Sequence, residues 1–460
     1  RLNAAVGDRL GVRDVFDAPT VAGLAARAEA GETNLESRPA PTPRDPSREV
    51  PVSLAQQRMW FINQFDTASA AYNVAIALRL TGTLDTQALE AAVADVVERH
   101  ESLRTVFPLT DSGPRQVILP AEKVVPALTP HAVESADLGA ELHRLLSAGF
   151  DVTTEAPVRA RLFGVNEHEH VLAVVVHHIA ADGFSMVPLA RDVLSAYTAR
   201  RRGVAPDWTP LPVQYADYTL WQRDWLGDED DGGSPLVRQL DYWTATLADL
   251  PDVLELPTDR PRPAARTLGA GRVEFEIDPD LHRSVVQLAR RHGSTVFMAL
   301  HSALAVLLSR LSASDDVAVG TPIAGRGEAE LDDLVGMFVN TLVLRTPVDG
   351  ARTFAELLAQ VREADLGAFT HADVPFERVV ESLRPSRSTA YSPLFQVMLE
   401  FQNTERPELE LPGLHVEPLD LAFDTINFDL QLTLRENADA EGHPGGLSAA
   451  LGYATDIFDA

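Results

Sequence analysis

Val171-Leu172-Ala173-Val174-Val175-Val176-His177-His178-Ile179-Ala180-Ala181-Asp182-Gly183 passes without interruption from six apolar residues into two adjacent histidines. Such a run reads as a strand, Val171 to Ile179, that carries imidazole to its end, where a loop presents side chains to solvent. Successive strand residues point to opposite faces, so His177 and His178 do not serve the same space: one reacts, and the other packs or orients. Asp182 suits an ion pair better than a metal, because no third histidine or carboxylate completes a ligand set. Gly183 lets a substrate or a backbone come close.

Upstream, Ala160 to Val165 reads as a second strand joined to the first by a polar turn at Asn166-Glu167, and Thr86 to His100 sets Leu89, Val93, Val96 and Val97 at helical spacing. Downstream, a helix is predicted from Ser185 with Val187, Ala190, Leu194 and Tyr197 on one face. These elements make an α/β lobe. An acidic loop from Gly227 to Ser234 and a Pro-rich crossover from Leu256 to Pro263 follow. A second α/β lobe opens near Arg272 with a strand Val273 to Ile277 and helices Asp280 to His292 and Ser294 to Leu311. The lobe symmetry is inferred from element order, since no close internal repeat is visible. At the other end, residues 1 to 30 read as two short helices, with Leu2, Val6 and Leu10 on the first and Val21, Leu24 and Ala25 on the second. Between them Thr20 of Asp17-Ala18-Pro19-Thr20 is placed to cap the second. Pro39, Pro41, Pro43, Pro46 and Pro51 then mark residues 31 to 50 as a stiff, solvated linker that reaches on the order of 60 Å in polyproline geometry.

The chain has 460 residues, 45% hydrophobic and 23% charged, which is globular composition rather than disordered or membrane composition. Without cysteine there is no disulfide scaffold, thiolate metal site or cysteine nucleophile, and a reducing cytoplasm fits. Thirty-nine basic against 67 acidic side chains give a net charge of −28, which repels nucleic acid and anionic membranes. The apolar runs fall short of the ~20 residues that cross a bilayer. Arg1-Leu2-Asn3-Ala4 has neither Met nor a signal core, so the chain reads as part of something longer. His168 and His170 sit in a polar hairpin turn, and Gly445-Gly446-Leu447-Ser448 leads into a strand although a carrier serine belongs at a helix start; neither is taken as a site. No nucleophile elbow, Walker loop or dinucleotide fingerprint stands among suitable elements.

His177 to Gly183 resembles the HHxxxDG motif of nonribosomal peptide synthetase condensation domains. An ordered set strengthens the resemblance: Ser53 to Trp60 is similar to the family's first core motif, Arg99 to Phe107 to the second, Tyr215-Ala216-Asp217-Tyr218 with Trp221 to the fourth, Val335 to Thr341 to the fifth and His371 to Glu377 to the sixth. Arg387-Ser388 to Ser392-Pro393-Leu394 loosely resembles the seventh. Residues 1 to 30 resemble the C-terminal part of a peptidyl carrier domain, through Phe16-Asp17-Ala18-Pro19-Thr20-Val21.

The resemblance implies two chloramphenicol-acetyltransferase-like lobes in a V-shaped pseudo-dimer with a central tunnel, residues 51–265 forming the N-lobe and 266–460 the C-lobe. It implies amide formation between a donor acyl or peptidyl thioester and an acceptor aminoacyl thioester. Each thioester is borne on the 4'-phosphopantetheine arm of a carrier domain, so upstream and downstream carriers and adjacent synthetase domains are the expected partners. Carried onto this chain, His178 is the active residue, Gly183 supplies backbone N–H beside it, His177 and Asp182 are structural, and Arg58 is the cation facing Asp182, with Arg104 and Arg345 as alternatives. Asn340 and Ser185 are candidate tunnel-lining residues, and no metal is expected. An epimerisation domain differs at Thr321 to Gly327, where it carries Glu-Gly-His-Gly-Arg; a heterocyclisation domain replaces the histidines; a coenzyme A acyltransferase shares the fold, and a silent docking module lacks the motif.

Overall fold

The computed structural model describes residues 10–30, 38–386, 388–402, 410–411, 413–419, 425–439 and 441–460. Val158–Asn166 and Glu169–His177 form the expected hairpin, closed by a turn in which Asn166 Oδ1 accepts the His168 N–H at 2.9 Å. Asn73–Gly82 runs antiparallel on the other side, with Asn73 opposite His177. The full sheet has six strands, in the order Glu410–Leu411, Leu414–Pro418, Asn73–Gly82, Glu169–His177, Val158–Asn166 and His131–Ala132. Both of its faces are covered, which is why its central strand is apolar throughout. Val171, Ala173 and Val175 meet Met59, Phe107 and Phe150 on one side, while Leu172 meets Leu89, Val93 and Ala196 on the other. The strand stops at His177, two residues short of the expected end, because the His178 N–H donates to the Tyr72 carbonyl at 2.7 Å and the chain turns. The helix that follows, Met186–Arg200, buries Pro188, Leu189, Asp192, Ala196 and Tyr197, a face rotated from the expected one; Val187 is exposed.

The second sheet also has six strands, ordered Asn340–Pro347, Asp316–Ile323, Val397–Gln402, Leu430–Ala438, Pro444–Ala454 and Ala270–Ile277. Helices Pro279–Arg291, Val296–Ser312 and Phe354–Thr370 pack against it and one another. Ser448 lies within the Pro444–Ala454 strand opposite Glu276 and Arg435, a ladder position and not a carrier serine. The lobes are not separable at residue 265: Leu414–Pro418 pairs with Asn73–Gly82 in the first sheet, Leu80 opposite Val416, although the strands before and after it, Val397–Gln402 and Leu430–Ala438, belong to the second. Among the described residues no single helix is long and apolar enough to cross a membrane.

At the N-terminus the helices are Val12–Asp17 and Val21–Ala30; Leu2 and Val6 lie outside the described residues. Thr20 acts as expected, its Oγ1 accepting the Gly23 N–H at 3.1 Å. The linker differs from expectation, because residues 38 to 50 lie on the protein instead of in solvent. Their partner is the helix Tyr215–Leu226, whose Asp217, Trp221, Asp224 and Trp225 share one face at the i, i+4, i+7, i+8 spacing. Arg44 bonds Asp217 (2.7 Å), Arg48 forks onto Asp224 (2.9 and 2.9 Å), and the Arg38 guanidinium stands over Trp221 and Trp225, 4.2 and 4.5 Å from the ring centres. Trp221 Nε1 donates to the Pro39 carbonyl at 2.5 Å. Arg38 also reaches the second lobe, at Asp373 (2.8 Å) and Glu328 (3.4 Å). Proline keeps this strap extended so that its arginines reach successive helix turns.

Candidate active site

The helix Leu54–Phe65 begins in a capping box: Ser53 Oγ accepts the Gln56 N–H at 3.1 Å and Gln56 Oε1 accepts the Ser53 N–H at 2.9 Å. This fixes the Gln56 amide so that Nε2 donates to the Ile179 carbonyl at 2.8 Å, holding the turn after the histidines. Tyr215, wholly buried, extends the support across the lobes: its hydroxyl lies 2.9 Å from Ser53 Oγ and donates to the Met337 carbonyl at 2.8 Å. Ser102 Oγ donates to Val335 O at 2.8 Å. Residues of the first, second and fourth motifs thus brace the turn after the histidines and the fifth-motif segment Val335 to Met337.

His177 is 1% exposed, and its Nδ1 accepts the Ile179 N–H at 3.1 Å. Burial, and then the charge on His178, pushes its pKa down to about 3, so it stays a neutral acceptor that fixes the loop. His178 is only partly buried. Its Nδ1 is enclosed with no hydrogen-bond partner among the described residues, and burial lowers its pKa below the ordinary imidazole value, with Asp182 opposing. Burial thus favours the neutral ring. Beside it, a Cβ added to Gly183 meets nothing within 4 Å, so the loop borders open space.

Asp182 is fully buried and is a knot between the lobes. Oδ1 accepts the Ser185 N–H at 2.8 Å, capping the turn Gly183–Ser185, and Oδ2 accepts the N–H groups of Phe338 and Val339, both at 2.9 Å. Its cation is Arg326, whose side chain is 7% exposed and lies 3.2 and 3.3 Å from the two carboxylate oxygens. Arg326 also donates to Ser185 Oγ at 2.9 Å and stacks 4.3 Å over Phe338. Two glycines make room for this: a Cβ on Gly336 would sit 2.2 Å from the Tyr215 ring, and Gly325, at φ +65°, has the Phe338 carbonyl 1.9 Å from where its Cβ would be.

The cation expected opposite Asp182 was Arg58, and the structure corrects this. Arg58 is nearly half exposed and faces Glu377 across the lobes at 3.7 Å, too solvated to neutralise a buried carboxylate. The alternatives are also occupied elsewhere: Arg104 donates to the carbonyls of Val97, Glu98 and Leu119, and Arg345 pairs with Asp316 at 2.7 Å. A signal for Arg326 stood in the sequence, a lone arginine between Gly325 and Gly327 just past a buried strand. Ser185 does not line a tunnel as expected, whereas Asn340 is partly exposed. Ser185 is wholly buried in the Asp182 knot and accepts the Gly336 N–H at 3.1 Å. The Asn340 amide donates to Ala372 O and Val374 O and accepts from Phe376 N, tying the fifth motif to the sixth. Arg387 lies outside the described residues.

The family model described as "Condensation domain" matches residues 47–460. The chain is 48% identical over its whole length to a probable non-canonical nonribosomal peptide synthetase, CymA, of Salinispora arenicola, and 44% identical to a dimodular nonribosomal peptide synthase of Bacillus subtilis. It spans only 6% and 19% of those proteins. Among solved structures it is similar to the X-domain of teicoplanin biosynthesis, in a complex with OxyB, with a TM-score of 0.85 at 35% identity over 93% of this chain and 92% of that one. The first condensation domain of the calcium-dependent antibiotic synthetase, bound to a substrate analogue, shares the fold at a TM-score of 0.70 and 20% identity over 90% and 93% of the two chains. With the family match over nine-tenths of its length and the Asp182 knot joining its two α/β lobes, the chain belongs to the condensation-domain family of nonribosomal peptide synthetases.

Proposed function

We propose that the chain joins a donor acyl or peptidyl thioester to the amine of an acceptor aminoacyl thioester. One observation carries this reading: His178 alone of the loop's ionisable groups is partly exposed, beside the open space at Gly183, while His177 and Asp182 are sealed into the scaffold. An α-amino group of pKa about 8 is partly neutral at pH 7, so the base need not be strong. His178 accepts the proton that the nitrogen sheds as its bond to the carbonyl carbon forms, and returns it to the departing sulfur. Positioned proton transfer contributes about 10²- to 10⁴-fold, and holding two tethered reactants together supplies much of the remainder. The Gly183 N–H is the proposed donor to the carbonyl oxygen. Each thioester is proposed to reach the loop on the 4'-phosphopantetheine arm of its carrier.

Residues 1–30 are read as the end of an upstream carrier that presents the donor, with the acceptor carrier downstream, adjacent synthetase domains as neighbours and the cytoplasm as compartment. A second reading, a module that recruits a partner protein, is favoured only by the likeness to the X-domain. Supplying two loaded carriers and looking for dipeptide by mass spectrometry separates the two. Product is expected with the wild-type chain and at least a hundredfold less with His178→Ala at an unchanged melting temperature; undiminished product from His178→Ala defeats the mechanism, and no product from wild type favours recruitment.

A further inference from the structure

We propose that the outer flank of the helix Phe354–Thr370 is a resting dock for the upstream carrier domain, an inference that rests on reading residues 1–30 as the end of that carrier. Phe16 packs into the cluster of Leu357, Leu358 and Val361. Arg362 lies 5.8 Å from the centre of the Phe16 ring and 3.3 Å from Asp17, and its Nε is held from behind by the Gly293 carbonyl at 3.0 Å. One residue on, Glu363 pairs with Arg13. The C-lobe helix therefore offers a cation and then an anion, and the carrier segment answers with Asp17 and Arg13, a pattern that fixes orientation as well as contact. Arg27 pairs with Asp14 and lies 3.6 Å from Asp17, so the two short helices dock as one body.

The remaining surface fits the same occupant. With the helices seated, Val12 and Val15 stay 46% exposed and Val21 86% exposed, an apolar surface on the docked segment for the rest of a carrier to cover. The tether reaches too. Arg38 is held at Asp373, just beyond the end of the helix; the helix from Arg362 to Thr370 is about 12 Å long, and the eight residue steps from Ala30 to Arg38 span up to about 28 Å. Arg13 and Glu363 are about half exposed, so the contact is weak enough to release a carrier that must travel to His178.

The test uses the protein with its whole carrier; residues 1–460 contain no cysteine, so with any cysteine of the added carrier half replaced, labels at Glu29→Cys, an exposed polar position of the second short helix, and Leu311→Cys give the distance by paired spin labels. The wild-type background is expected to show one dominant short-distance population. Glu363→Arg should shrink the docked-to-undocked ratio about three- to tenfold, and adding Arg13→Glu should restore it. No change in the single variant, or no restoration in the double, overturns the dock; a broad distribution in the parent does the same. Phe16→Ser should empty the dock as well, and if it unfolds the carrier the charge-reversal pair still decides. Dipeptide formation is measured separately, so absence of product counts against the proposed reaction while the distances still judge the dock.

Discussion

His177, His178 and Asp182, three neighbours in sequence, are set apart by burial and by their partners: His177 and Asp182 are sealed and hydrogen-bonded, and His178 is partly exposed. His177 has a folded pKa near 3 against an ordinary value of 6.5. Its stabilising contribution is therefore complete above pH 6.5 and is lost as pH falls toward 3, because the unfolded chain takes up a proton that the folded chain refuses. The slope approaches about 1.4 kcal/mol per pH unit below pH 6. His177→Asn, which keeps an acceptor for the Ile179 N–H, should flatten the decline in melting temperature between pH 6.5 and 5; an unchanged slope would show that other groups set it. At Asp182, removing the carboxylate strands Arg326 and frees the Phe338 and Val339 amides, so Asp182→Ala should cost about 3–5 kcal/mol in denaturant unfolding. Arg326→Ala should cost a similar amount and the double substitution less than the sum, with simple additivity refuting the pair. The histidines were legible because an apolar strand ended on them. The Asp182 partner was not, since 144 residues separate it from Arg326 and only the folded lobes bring them together.

At the scale of elements, strands and helices whose periodicity reflects burial are readable, as the hairpin and the Pro279–Arg291 and Val296–Ser312 helices show. The strap of residues 38 to 50 illustrates what periodicity misses. Four prolines and three arginines look like a solvated spacer, and the acidic-aromatic face that receives them lies more than 170 residues away on Tyr215–Leu226. Arg44 and Asp217 have side chains 17% and 4% exposed, so the pair is shielded from solvent. Arg44→Ala should lower stability by about 2 kcal/mol by leaving Asp217 without its cation. A chain that begins at Pro51 should melt below one that begins at Arg38, and equal melting curves would mean that the strap rests on the surface without stabilising it.

The sequence also shows two lobes and places their boundary in the Pro-rich crossover, but it does not show how they are held together. The Asp182 knot, the Tyr215 hydroxyl between Ser53 and Met337, and Arg38 between two tryptophans and Asp373 all cross from one lobe to the other. A further crossing is Leu414–Pro418, a strand from late in the chain that joins the first sheet. For anyone recombining halves of related enzymes to change substrate, this strand decides where the cuts fall. An exchange of everything after residue 265 pairs the recipient's Asn73–Gly82 with a foreign strand, against side chains it did not evolve beside. Grafting the second half while keeping the recipient's own residues 414 to 418 leaves that seam native, so a chimera with two internal junctions is the more natural unit than one with a single junction.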